Sequence, residues 1–175
     1  LKIPFINSGL LDYKIQIVAA GRVGAPAGII KSIDGGNSFQ SMEMNANCSF
    51  ILDVKFFNAN EGIICAASND DLEKTNALIL MTKDGGKTWQ NKYQSKRNYE
   101  LTWKCAFPSR NTGYVTIQSY NPDSLINLRY IAKTTDGGET WKNITQAGSG
   151  FATGDKIGRI GVVVFPKNPN IIYAV

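Results

Sequence analysis

One eight-residue stretch occurs three times in this chain, and it limits the folds available more than any other feature. The copies are Ser32-Ile33-Asp34-Gly35-Gly36-Asn37-Ser38-Phe39, Thr82-Lys83-Asp84-Gly85-Gly86-Lys87-Thr88-Trp89 and Thr134-Thr135-Asp136-Gly137-Gly138-Glu139-Thr140-Trp141. The shared pattern is [ST]-x-D-G-G-x-[ST]-[WF]. Asp-Gly-Gly suits a turn, because glycine takes positive φ without a Cβ clash. The aspartate can accept backbone N–H bonds and lock that turn, and the flanking hydroxyls can do likewise. The closing ring is expected to anchor the hairpin in an apolar layer. Phe39, Trp89 and Trp141 are therefore expected to be buried.

The repeat extends beyond the turn. Phe5, Phe56 and Phe107 are spaced 51 and 51 residues apart, and Phe165 opens a fourth unit. From each of the first three to its aspartate the distance is 29, 28 and 29 residues. A period near 50 belongs to propeller-type arrays. Within the second unit, apolar runs at Ile51 to Phe57, Ile63 to Ala67 and Ala77 to Thr82, then Thr88 to Tyr93, read as a four-stranded antiparallel meander. The third unit repeats it at Leu101 to Phe107, Tyr114 to Ser119, Leu128 to Thr134 and Thr140 to Thr145. In the first unit Ile15 to Ala20 and Gly28 to Ile33 read as strands, while Pro4 weakens the inner one. A fourth unit opens at Ile157 to Pro166, after a Gly- and Ser-rich loop from Gln146 to Lys156, and continues through Asn168 to Ala174.

The repeated turn resembles the Asp-box, or BNR repeat, of sialidases, sortilin-like receptors, xyloglucanase-type glycoside hydrolases and photosystem II stability factor-like proteins. The stretch from Gly158 to Ala174, G-R-I-x-V-x-V-x-P-x-N-P-N-x-x-Y-A, is similar to a blade start of the sortilin-like and xyloglucanase-like members. The resemblance implies an all-β fold, a section of a β-propeller of about three and a half blades. The blades would run over about 1–47, 48–99, 100–150 and, in part, 157–175. Propellers close with about four to eight blades. The remaining blades are expected from a longer chain or from a second copy. In these families the box is a structural staple on the rim, so Asp34, Gly36, Phe39, Asp84, Gly86, Trp89, Asp136, Gly138 and Trp141 carry architecture rather than chemistry.

A meander puts alternate connections on opposite faces. The loops after strands two and four share the face that carries the ligand site in propellers. The candidate ligand-face residues there are Arg22, Asp70, Asp71, Arg97, Tyr99, Tyr120, Asp123 and Asp155, with Glu73, Glu100 and Lys156 as further polar residues. Asp70-Asp71 is the one adjacent pair of carboxylates to weigh for glycoside hydrolysis. Sialidases carry an arginine in an (F/Y)-R-I-P motif, and here Leu1-Lys2-Ile3-Pro4 has lysine, which cannot form the same bidentate fork. No aspartate sits in a context matching the xyloglucanase acids. The resemblance thus implies two functions: a non-catalytic module binding protein or glycan, or a fragment of a sialidase-like or xyloglucanase-like glycoside hydrolase. It implies a secreted or periplasmic setting.

Composition narrows the rest. With no histidine there is neither a Ser-His-Asp triad nor a mixed zinc site, and neither metal nor other cofactor is expected. The net charge of +5 is scattered, and Lys92, Lys96 and Arg97 with Tyr93 and Tyr99 read as a solvated loop, not a nucleic-acid groove. No apolar run approaches the roughly 18 residues that cross a bilayer. Cys48, Cys65 and Cys105 read as buried free thiols, since the last two sit in apolar strand-like runs.

Overall fold

The structure is a computed structural model; it describes residues 16–20 (backbone), 26–123, 125–151, 160–165, 167–168 and 170–174. Among the described residues, thirteen strands form four antiparallel sheets. The first contains β1 (Gln16–Ala20), β2 (Gly28–Ser32) and β3 (Gln40–Glu43). The second is β4 (Phe50–Phe56), β5 (Gly62–Ala67), β6 (Ala77–Thr82) and β7 (Gln90–Gln94) in sequential order. The third repeats it with β8 (Glu100–Ala106), β9 (Gly113–Ser119), β10 (Arg129–Thr134) and β11 (Lys142–Asn143). A hairpin of β12 (Val162–Val164) and β13 (Ile172–Ala174) follows.

The sheets pack face to face, and this explains the unbroken apolar runs. Every residue of β5 and β6 is buried. Ile64, Ala66, Leu78 and Leu80 pack toward Ile29 and Met44 of the first sheet. Ile63, Cys65, Ile79 and Met81 pack toward Val115 of the third. A strand covered on both faces has no polar side to show, so its sequence does not alternate. The inner strands carry one bulge each at equivalent places, between Ile51 and Asp53 and between Thr102 and Lys104. The periodic reading did not foresee them.

The three turns share one hydrogen-bond plan. In the second, the Thr82 hydroxyl donates to Asp84 Oδ1 at 2.8 Å and accepts the Gly86 N–H at 2.8 Å. Asp84 in turn accepts the Thr88 N–H at 2.9 Å and its hydroxyl at 2.6 Å. The same bonds recur around Asp34 and Asp136. The glycines Gly36, Gly86 and Gly138 have φ of 92°, 95° and 99°. Because the Thr88 N–H is spent on Asp84, the outer strand starts at Gln90 rather than Thr88, and likewise at Lys142 rather than Thr140. Gly85 and Gly137 N–H bond Asn60 and Asn111 carbonyls, tying each turn to the strand-one/strand-two turn of its own sheet.

The expected burial of the closing rings needs correction. Trp89 and Trp141 are half-buried: each donates its indole N–H to a glycine carbonyl, Gly86 or Gly138, at 3.0 Å, which holds the ring edge near the rim. They meet Phe56 and Phe107 edge to face, with centroids 6.0 and 6.1 Å apart. Phe39 is 50% exposed. Its ring has no N–H to donate, and its counterpart of Phe56 is Phe5, outside the described residues. Cys48 and Cys65 are buried free thiols, as expected, whereas Cys105 is half-buried because the last four residues of β8 are only partly covered.

Candidate binding face

Opposite the three turns, the loops of the second and third sheets are stitched together through Tyr99. Its N–H donates to Leu72 O at 3.1 Å, and its carbonyl accepts the Tyr120 N–H at 2.8 Å. Tyr99 has φ of 63°, the one positive value among described non-glycine residues. A tyrosine in the left-handed region is strained, and here it persists because both its backbone groups are fixed by flanking loops. Asn76 Nδ2 adds a bond to Arg97 O at 3.0 Å. Three candidates of the sequence reading, Arg97, Tyr99 and Tyr120, are thus brought together.

Beneath them lies a buried polar group that the sequence reading left among the loop residues. Glu100 is the first residue of β8 and only 1% exposed. Its Oε2 accepts the Tyr130 hydroxyl at 3.0 Å, and its Oε1 meets Arg97 Nη2 at 2.5 Å. The Tyr93 hydroxyl lies 3.2 Å from that of Tyr130, and the Arg97 guanidinium sits 5.2 Å over the Tyr130 ring. Burial, and then the Glu100 charge, push the Tyr130 hydroxyl far above the usual phenol range; burial also raises Tyr93. Tyr130 and Tyr93 therefore act as fixed hydrogen-bonding groups. A signal existed: Glu100 stands where the preceding unit has the uncharged Ser49, 51 residues earlier.

The remaining candidates lie apart. Asp71 accepts the Glu73 N–H at 3.0 Å and pairs with Lys74 at 2.9 Å. The Lys74 hydrogen bond holds its carboxyl below the usual range, the opposite of what a general acid needs. Asp70 is exposed beside it. Asp123 caps its own loop, accepting the Leu125 N–H at 2.9 Å. Arg22 and Asp155 lie outside the described residues, as do Lys2 and Lys156. The same loops expose large apolar side chains: Leu72, Ile126 and, at 84%, Leu125. Among the described residues no group of three or more His, Cys, Asp or Glu is placed to hold a metal ion, and no helix is long and apolar enough to cross a membrane.

No protein-family model matches the sequence, and no curated protein matches it. Solved structures do. The chain is similar to the GH74 xyloglucanase from Xanthomonas campestris, with a TM-score of 0.56 and 13% identity over 92% of this chain. It is similar to YCF48 bound to D1 peptide, with a TM-score of 0.54 and 17% identity over 79% of this chain. The chain spans 24% and 39% of those two chains. At these identities the likeness shows the fold alone. The molecule is all-β, a section of a β-propeller with four-stranded antiparallel blades.

Proposed function

We propose that this chain is a non-catalytic, protein-binding module of an Asp-box propeller, in which the loop face around Tyr99 seats a peptide segment of the partner. The observation that carries the reading is the apolar side chains on that face: Leu72, Leu125 and Ile126 are exposed on the loops that Tyr99 ties together. Exposed apolar surface rimmed by polar residues marks sites of protein contact. The peptide held by YCF48 supports a protein partner for a blade array of this kind. In this reading the repeated turns are Asp boxes, staples on the far rim. The setting is secreted or periplasmic, and the other blades belong to a longer chain or a second copy.

The test is selection of binders from a random phage-displayed peptide library, followed by Leu125→Asp and Ile126→Asp. Loss of at least tenfold in affinity for the selected peptides, about 1.4 kcal/mol or more, is the expected result. Unchanged binding by both variants sinks the peptide-face reading. Turnover of a glycan panel that disappears in Asp70→Ala or Asp71→Ala replaces it with the glycoside-hydrolase alternative.

A further inference from the structure

Cys65 and Cys105 come from different sheets and meet in one apolar cluster. Cys65 lies on β5 with no exposed surface, and Cys105 lies on β8 with part of its side chain uncovered. Both pack with Ile63, Ile79 and Val115. In the β4–β5 register Asp53 stands directly opposite Cys65. Two bonds tie β8 to the second sheet near the pair. The Thr102 hydroxyl donates across the joint to Ala66 O at 2.9 Å, one residue from Cys65. The Cys105 N–H donates to Asp53 Oδ2 of the second sheet at 3.0 Å. β5 and β8 face each other across the joint, with Cα atoms of the two strands within 8 Å.

We propose that Cys65 and Cys105 form a redox-controlled staple between the second and third blades, free as dithiol under reducing conditions and closed as a disulfide in the presence of a small-molecule disulfide such as oxidised glutathione. The half-buried thiol reacts first. The Cys105 sulfur, losing its proton to solvent, attacks one sulfur of the oxidant; the S–S bond of the oxidant breaks and one glutathione leaves. The Cys65 sulfur, also losing its proton, then attacks the mixed disulfide at Cys105, the second glutathione leaves, and the Cys65–Cys105 bond closes. Two electrons pass from the thiols to the oxidant, which ends as two thiols. Burial raises the Cys65 thiol well above its ordinary value, with Cys105 beside it adding to the shift, so little of it is thiolate and its attack relies on the intramolecular approach to the mixed disulfide. Cys48 packs in another cluster, with Met44, Ile51 and Phe56, and burial pushes it up to about 11. It stays outside the exchange.

The experiment equilibrates the purified protein with oxidised glutathione, then denatures it, alkylates it and measures its intact mass. The expected product has lost two hydrogens, retains a single alkylatable thiol and yields a Cys65–Cys105 linked peptide. Its urea midpoint is higher than that of the reduced protein. Cys48→Ala keeps the bridge, and Cys105→Ala, at a half-buried position, abolishes it. Three alkylatable thiols at equilibrium overturn the proposal. So does a stable glutathione adduct on Cys105, or a bridge that includes Cys48.

Discussion

The first Asp-Gly-Gly turn and the second are the same object locally and different objects in context. Asp34 and Asp84 accept the same bonds from the hydroxyl and N–H four residues on, within 0.1 Å. Yet Phe39 stands half in solvent, while Trp89 covers Phe56 and packs against the core around Ile51 and Val54. The Trp89 ring is covered by β4 of its own sheet, whereas Phe5, the counterpart of Phe56 for Phe39, lies outside the described residues; the tie to the sheet before it is made by the turn itself. Lys31 of the first sheet donates to Gly85 O at 2.8 Å, and Met42 reaches Gly86. At the next joint Met81 reaches Gly138, and Glu139 is gripped by Lys83 and Lys92 at 2.8 and 2.6 Å. A turn is built by its own eight residues; it becomes a joint through the blade before it.

The rings test this most directly. Trp89→Ala and Trp141→Ala should each cost about 2–3 kcal/mol, below the 3–5 of a fully buried aromatic, and Phe39→Ala under about 1 kcal/mol. Urea unfolding measures all three. Equal losses at positions 39 and 89 would mean that the cover of Trp89 by Phe56 contributes nothing to the anchor.

Glycine substitution sharpens the contrast between the two joints. A Cβ on Gly138 would lie 2.7 Å from Met81 Sδ, whereas one on Gly86 would lie 3.4 Å from Met42 Cε. Both positions carry positive φ, which costs an alanine about 1 kcal/mol or more. Gly138→Ala is expected to exceed Gly86→Ala in thermal unfolding, and the order should vanish in a Met81→Ala background.

Acid should not distinguish the turns. Hydrogen bonds from Ser38 hold Asp34 at about 2, and those from Thr88 hold Asp84 at about 2, against an ordinary 3.8. Asp136 is held lower still, chiefly by Thr140. A depressed carboxyl contributes stability that is full above its unfolded value and lost as pH falls through its folded one. Stability should therefore decline between about pH 4 and pH 2. Asp34→Asn and Asp84→Asn should flatten that decline by similar amounts in acid titrations followed by fluorescence. The smallest effect belongs to the exposed ion pairs: Glu139→Gln should cost under about 1 kcal/mol, and 1 M salt should erase it.

Much of the fold was legible because its cues are local. β6 begins and ends where the apolar run does, at Ala77 and Thr82, and β9 begins one residue before its predicted start. The outer strands were misjudged because Thr88 and Thr140 turn their N–H groups to an aspartate, a choice that hydropathy does not record. Of the candidate face, Arg97, Tyr99 and Tyr120 were singled out from loop position alone, and the structure places them near one another. Glu100 was read as a loop end, and Tyr93 and Tyr130 as strand residues, because the three meet across a joint between sheets.

Local sequence is enough to build the turns and the meanders. Their bonds join residues two to four apart, and their strands are set by runs of apolar side chains. Tertiary structure decided which anchor ring is covered, that Tyr99 takes a left-handed backbone, and that a glutamate is buried against Arg97 and Tyr130. Those outcomes depend on surfaces contributed by another strand, blade or loop tens of residues away, and no local pattern encodes which surface that is.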